Sequence, residues 1–103
     1  MTNLLDGITV IDWTQAHNGA ATGYMLGDLG ADVIKVEDPQ GDLARTFRSI
    51  MGVSMELPGD RNVLFEGANR NKRSITLNLK SPDGNRLFRE LVGRADIVVT
   101  NYR

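Results

Sequence analysis

Residues 8–37, "ITVIDWTQAHNGAATGYMLGDLGADVIKVE", decide the fold. Ile8 to Asp12 is a short, β-branched, apolar run that reads as a buried strand, and Asp32 to Glu37 is a second. Between them Ala21, Tyr24, Met25 and Leu29 fall on one face of a helix. Asn18 is placed to cap its start and Gly30 to close it. The same order then recurs. Ser74 to Leu79 alternates, with Ile75, Leu77 and Leu79 on one side and Ser74, Thr76 and Asn78 on the other. Ser81-Pro82-Asp83 opens a helix whose Leu87, Phe88, Leu91 and Val92 share a face. Asp96 to Asn101 is a fourth strand. Strand, helix, strand occurring twice predicts an α/β fold, a Rossmann-like parallel sheet with flanking helices and right-handed crossovers.

Strands one, two and four are apolar on nearly successive positions, the pattern of strands covered on both faces. The alternating third suits an edge or a half-exposed place. The connection from Asp38 to Ala68 is long. Leu43, Phe47, Ile50 and Met51 suit a short helix, and a turn-rich loop centred on Pro58-Gly59 follows. Connections of this length are often functional.

The 103 residues are one domain or part of one. Only two helices are well patterned, yet a parallel sheet needs cover on both faces. Residues 1–103 are therefore expected to be the first part of a larger domain. Alone, the chain is expected to associate or to be marginally stable. Twelve basic residues against thirteen acidic ones leave no excess to hold nucleic acid. With no cysteine there is neither a disulfide framework nor a thiolate metal site. No apolar run approaches a membrane span, and no secretory signal is visible, so the expectation is a cytoplasmic protein.

In open parallel sheets, ligands bind beyond the carboxyl ends of the strands. Four segments meet there: Gln15 to Gly19, Glu37 to Gly41, Leu79 to Asp83 and Asn101 to Arg103. Lys80 stands between a strand and a helix start, where free backbone N–H groups and the helix dipole favour an anion, and Arg103 shares the rim. The cluster Arg70, Lys72 and Arg73 reads as solvated surface. Gly19, Gly23 and Gly27 form a ridge without side chains, suited to close packing on the sheet. The dinucleotide fingerprint GxGxxG is absent, which leaves Glu37 alone as weak support for NAD. His17, the only histidine, lies on the ligand edge with no partner at dyad spacing. Asp12 reads as a strand-end residue and Asp28 as a solvated one.

The blocks "LLDGITVIDWT", "LGDLGADVIKVEDPQGDLAR", "NRNKRSITLNLKSPDG" and "ADIVVTNYR", in this order and spacing, resemble the N-terminal part of family III CoA-transferases. That group includes formyl-CoA and carnitine CoA-transferases and the related α-methylacyl-CoA racemases. The resemblance implies a Rossmann-like CoA-binding domain in an interlocked homodimer, acting on an acyl-CoA and a carboxylic acid without a metal. It implies an aspartate nucleophile that splits the acyl transfer into easier steps. That aspartate is expected beyond Arg103, and none in this chain matches it. His17 and Asn18 match the loop near the thioester end of CoA. Leu77, Asn78, Leu79 and Lys80 match the strand end at its nucleotide, and Asn101, Tyr102 and Arg103 the next strand end. Position 17 is glutamine in formyl-CoA transferase-like members, Asp38 replaces a cation of some relatives, and Gly19-Ala20 replaces Gly-Pro. A racemase on this scaffold and a non-catalytic nucleotide-binding module remain the alternatives.

Overall fold

The computed structural model describes residues 2–103. The chain runs β1 (Thr9–Trp13), α1 (Asn18–Asp28), β2 (Asp32–Glu37), a 3-10 turn (Leu43–Thr46), β3 (Ser49–Ile50), β4 (Val53–Ser54), β5 (Glu56–Leu57), β6 (Arg61–Asn62), α2 (Val63–Ala68), β7 (Lys72–Thr76), α3 (Pro82–Gly93) and β8 (Ile97–Thr100). One parallel four-stranded sheet has the order β7-β2-β1-β8. The chain therefore winds outward from β1 to β7, then returns to place β8 on the other side of β1. That reversal makes a switch point between the carboxyl ends of β1 and β8. The expected α/β fold with flanking helices is the fold observed.

Side chains alternate across each strand. Val10 and Asp12 face α1, as do Val33, Lys35 and Glu37. Ile11 and Trp13 face α3, where the Phe88 ring meets Trp13 edge-on at 5.0 Å. The apolar core under α1 is small: Val10, Ala31 and Val33, with Leu5, Ile8, Leu26 and Val99 packed against it.

Several boundaries and faces differ from the sequence reading. The third sheet strand is Lys72–Thr76, two residues earlier than expected, so Leu79 lies outside it. Leu77 N–H still donates to Glu37 O at 2.9 Å, and the chain then curls beneath the start of α3. There the Asn78 carbonyl accepts from Ser81 Oγ at 2.8 Å. A Cβ on Gly84 would stand 1.9 Å from that carbonyl oxygen, so only glycine fits. Ser81 caps α3 as expected, accepting from Gly84 N–H at 3.0 Å.

On α1 the glycine ridge packs on the sheet as expected, but the apolar stripe does not mark the buried face. Met25 and Leu29 are exposed, while Ala20 and Gly23 are buried. The glycine ridge, not the apolar stripe, packs on the sheet. The N-cap is His17 rather than Asn18, and its side chain makes no capping bond. β8 lies at an edge with Ile97 and Val98 exposed, against the expectation of cover on both faces. β7 is at the other edge, as its alternation suggested.

The long connection is more ordered than a loop. Ile50 and Met51 belong to a hairpin, not a helix. Ile50 pairs with Val53 around Met51-Gly52, and both turn residues have positive φ, the geometry of tight hairpins. A second hairpin turns at Pro58-Gly59-Asp60. α2 was not expected; Asn62 Oδ1 caps it by accepting from Phe65 N–H at 3.0 Å.

Candidate ligand-binding site

Charged groups buried under α1 support the carboxyl rim. Lys72 Nζ lies 2.5 Å from Asp12 Oδ2, and both side chains are almost fully excluded from solvent. The same ammonium donates to Ala20 O at 2.8 Å, Ala68 O at 3.0 Å and Asn69 Oδ1 at 2.9 Å. One lysine thus joins β1, α1 and the chain at the end of α2. Burial pushes the Lys72 ammonium below its ordinary pKa, and Asp12 opposes that shift only in part. Gly23 follows from this pair, since a Cβ there would sit 2.6 Å from Asp12 Oδ2, while Gly19 lies against Thr14 and Gly27 against Asn71 and Val33. The reading of Lys72 as solvated, and of Asp12 as a plain strand end, is therefore corrected.

A second buried pair lies nearer the rim. Lys35 Nζ is 2.7 Å from Asp42 Oδ2. Glu37 receives Arg45 through two bonds, 3.0 and 2.8 Å, and the Asp42 N–H at 2.9 Å. Burial alone would raise the Glu37 carboxyl, but the Arg45 guanidinium and the Asp42 amide outweigh it and hold the carboxyl below its usual range. Glu37 is thus bonded to Arg45 and the Asp42 amide within the protein, which takes away the weak support it offered for NAD.

The loop between β1 and α1 is held by side chains from other segments. Lys35 Nζ donates to Thr14 O at 3.3 Å. Asn101 Oδ1 accepts from Gln15 N–H at 2.9 Å, and Asn101 Nδ2 donates to Gln15 O at 2.8 Å. Asp42 Oδ1 accepts from Ala16 N–H at 3.0 Å. Ala16 has φ +61°, a left-handed backbone that a residue with a Cβ adopts only under constraint.

Beyond the ends of β1, β2 and β7 opens a cleft of about 430 Å³. Trp13, Val36, Pro39, Leu77, Leu79 and Tyr102 give it apolar walls, and Glu37, Asp38, Gln40, Asn78 and Lys80 add polar groups. The Trp13 and Tyr102 rings stack at 4.9 Å and 22°. Burial raises the Tyr102 hydroxyl pKa; nearby Asp38, Asp42 and Glu37 push the same way, against a hydrogen bond with Gln15. Lys80 is exposed at the opposite wall, directly before the capped start of α3. Among the described residues it has no carboxylate partner, whereas Arg45, Arg48, Arg61, Arg70 and Arg73 all do. The cleft suits a ligand with a flat or apolar body and an anionic end at Lys80. Asp38 disfavours phosphate at its own end. No group of three His, Asp or Glu able to hold a metal occurs among the described residues.

Of the expected site residues, Leu77, Asn78, Leu79, Lys80 and Tyr102 line this cleft. His17 and Asn18 are exposed at the start of α1 and do not line it. Asn101 is bonded to Gln15, and Arg103 is exposed beyond it. Trp13 and Val36 were missed as wall residues. Their signal was their position at the ends of β1 and β2, on the α3 face.

Strand order and cleft place the chain among doubly wound α/β proteins, which meet their ligands at this edge of the sheet. More narrowly, the chain belongs to CoA-transferase family III, whose model matches residues 5–103. It is 41% identical over 102 residues to a formyl-CoA:oxalate CoA-transferase of Streptomyces avermitilis, covering 99% of this chain and 24% of that protein. Identity is also 41% over 100 residues with a succinate–glutarate CoA-transferase of Agrobacterium fabrum, covering 96% and 25%. The crystal structure of a CAIB/BAIF family protein from Brucella suis superposes with a TM-score of 0.86 at 40% identity, covering 99% of this chain and 26% of that one. The chain thus spans about a quarter of the length of these relatives.

Proposed function

We propose that this chain is the N-terminal part of the CoA-binding domain of a CoA-transferase, which moves CoA from an acyl-CoA to a carboxylic acid. The observation that carries this reading is the cleft, with the unpaired Lys80 beside the Ser81-capped start of α3. Lys80 and the positive end of the α3 dipole hold a phosphate of the CoA nucleotide, with Leu77, Asn78, Leu79 and Tyr102 along its body; the N–H groups of Lys80, Ser81 and Gly84, expected to be free, are bonded to Asn78 and Ser81. The pantetheine arm runs toward the switch point, where His17 and Asn18 stand near the thioester. The acyl-accepting aspartate comes from outside these residues. In support, Asp12 and Asp42 are committed to buried ion pairs, and Asp28 and Asp32 to arginines. The functional unit is a cytoplasmic homodimer, and the exposed apolar side chains of β8 support further protein surface over that strand.

Lys80 binds and does no chemistry. A charge-assisted contact at an open rim contributes about 1.4 kcal/mol, which is about one decade in affinity. In the intact protein, Lys80→Ala should raise KM for an acyl-CoA about tenfold and leave kcat nearly unchanged. The effect should shrink as salt is added. Steady-state kinetics at low and high ionic strength test this. A fall in kcat at constant KM would move Lys80 into the catalytic machinery, and no change in either would remove it from the site.

A further inference from the structure

Asp42 lies just past the cleft wall of Asp38 and Gln40, but its carboxylate points inward. Oδ2 is 2.7 Å from Lys35 Nζ, and both side chains are 1% exposed. Oδ1 accepts from two amides of different segments, Ala44 N–H at 2.7 Å and Ala16 N–H at 3.0 Å. The first bond is a local cap on the 3-10 turn. The second reaches 26 residues back, into the loop between β1 and α1. Lys35 holds the same loop by donating to Thr14 O at 3.3 Å. Ala16 has φ +61°, which an alanine leaves unless it is held. His17 and Asn18 follow without a further turn, because α1 begins there with no side-chain cap. The direction in which they leave the sheet is therefore tied to how Ala16 is held.

We propose that Asp42 is a positioning residue: its buried carboxylate fixes the left-handed Ala16 against the end of β2 and so sets where His17 and Asn18 stand at the thioester end of the ligand. This rests on the CoA reading above and adds a residue to which the resemblance gave no role. Asp42 does not line the cleft, and its two oxygens are taken by two amides and one ammonium, so it acts through Ala16. Its own N–H donates to Glu37 Oε2 at 2.9 Å, which anchors it to the last residue of β2. A cap on the 3-10 turn needs only the bond to Ala44. The bond to Ala16 is a separate one, and it joins the loop at the thioester end to the strand that ends in the nucleotide cleft.

The test compares Asp42→Asn with Asp42→Ser in the intact protein, each combined with Lys35→Met so that no buried charge is left unpaired. Asparagine keeps an acceptor for both amides. Serine still caps the turn but is too short to reach Ala16. Relative to the asparagine variant, the serine variant should show the Ala16 amide exchanging with deuterium at least about tenfold faster, because its acceptor is gone. Its kcat for acyl transfer should be about tenfold lower, from misplacement at the thioester end. Binding of 3′,5′-ADP, which carries the nucleotide of CoA without the pantetheine arm, should agree between the two within about twofold. Equal kcat, or equal exchange at Ala16, would overturn the proposal. So would a loss of 3′,5′-ADP binding in step with kcat, since the effect would then not be confined to the loop. Failure of either variant to fold would make Asp42 a requirement of the whole fold and overturn it as well. If the unsubstituted protein binds neither CoA nor 3′,5′-ADP, the CoA reading fails instead, and exchange at Ala16 alone decides whether Asp42 holds the loop.

Discussion

On the α1 face of the sheet, Asp12, Lys35 and Lys72 are charges buried to within 1% of their side-chain surface. On the α3 face the corresponding layer is Ile11, Trp13 and Val36, with Phe88 and Tyr102 packed against Trp13. One side of a single sheet is held by directed bonds, the other by area and ring contacts. The difference explains the two helices. α1 comes close with glycines because the ion pair beneath Gly23, Thr14 beneath Gly19 and Asn71 beneath Gly27 leave little space for larger side chains. α3 keeps an apolar stripe because it meets a hydrocarbon surface. Ion pairs tolerate little displacement, whereas apolar contacts can repack. The α1 face therefore suits a support for the loop that must stay in place, and the α3 face suits the wall of a cleft.

The sharpest way to break this contrast is Lys72→Met. It leaves Asp12 buried without its counter-ion and removes the donor shared by Ala20 O, Ala68 O and Asn69 Oδ1, and should lower stability by about 3–5 kcal/mol in urea unfolding. Adding Asp12→Asn should recover part of that loss, because no unpaired charge then remains. A loss below about 1 kcal/mol would mean that the pair is effectively solvated. Next is Gly23→Ala. Its Cβ would lie 2.6 Å from Asp12 Oδ2 and 3.0 Å from Lys72 Nζ, so α1 must lift or the pair must shift. The expected loss is about 1–3 kcal/mol, against the usual gain from alanine in a helix. On the other face, Phe88→Leu should lower stability by only about 1 kcal/mol, since a leucine can repack against Trp13. Trp13 emission reports it, as this is the only tryptophan of the chain.

The smallest effect is a pH dependence. The Glu37 carboxyl is held below its ordinary value of 4.5, so the folded state takes up its proton later than the unfolded state. Its contribution is fully present above that ordinary value and is lost as pH falls through the lower folded value. Glu37→Gln should therefore flatten the acid limb of stability against pH while leaving the alkaline limb unchanged. Parallel acid limbs in the two proteins would show that the Arg45 pairing adds nothing.

The fold was legible because two strand–helix–strand units leave few topologies open, and because Ser81-Pro82 marks a helix start by local chemistry alone. The cleft wall at Leu77–Lys80 was legible for the same reason, as it is the end of one such unit. The α1 face was legible only in part, through its glycine ridge and not through its apolar stripe. Its stripe of Tyr24, Met25 and Leu29 satisfied helical periodicity, but periodicity does not record what the opposite surface is made of. The clue lay in the strands. Asp12, Lys35 and Glu37 interrupt buried-type runs, and alternation puts them on one face. Lys72 was hidden further because its neighbours Arg70 and Arg73 bond at the surface, to Asp28 and Asp32. Asn101 was placed on the right edge, but no sequence spacing reveals that an amide 86 residues away is its partner.

The Lys72 ammonium also has a bearing on the order of folding. Asp12 and Lys72 are separated by 60 residues, and the acceptors Ala20 O and Ala68 O lie between. While the chain emerges from the ribosome, β1, α1 and β2 are complete long before that cation arrives. Until then the Asp12 carboxylate lacks the ammonium it pairs with in the folded protein, and settling α1 over it is disfavoured. Early docking is thereby discouraged, and the first half of the chain is tied to a late, long-range event of the kind that makes parallel sheets slow to form. A nascent chain that ends before Lys72 should thus remain open to proteases and chaperones, and closure should come as a single cooperative step once β7 is in reach.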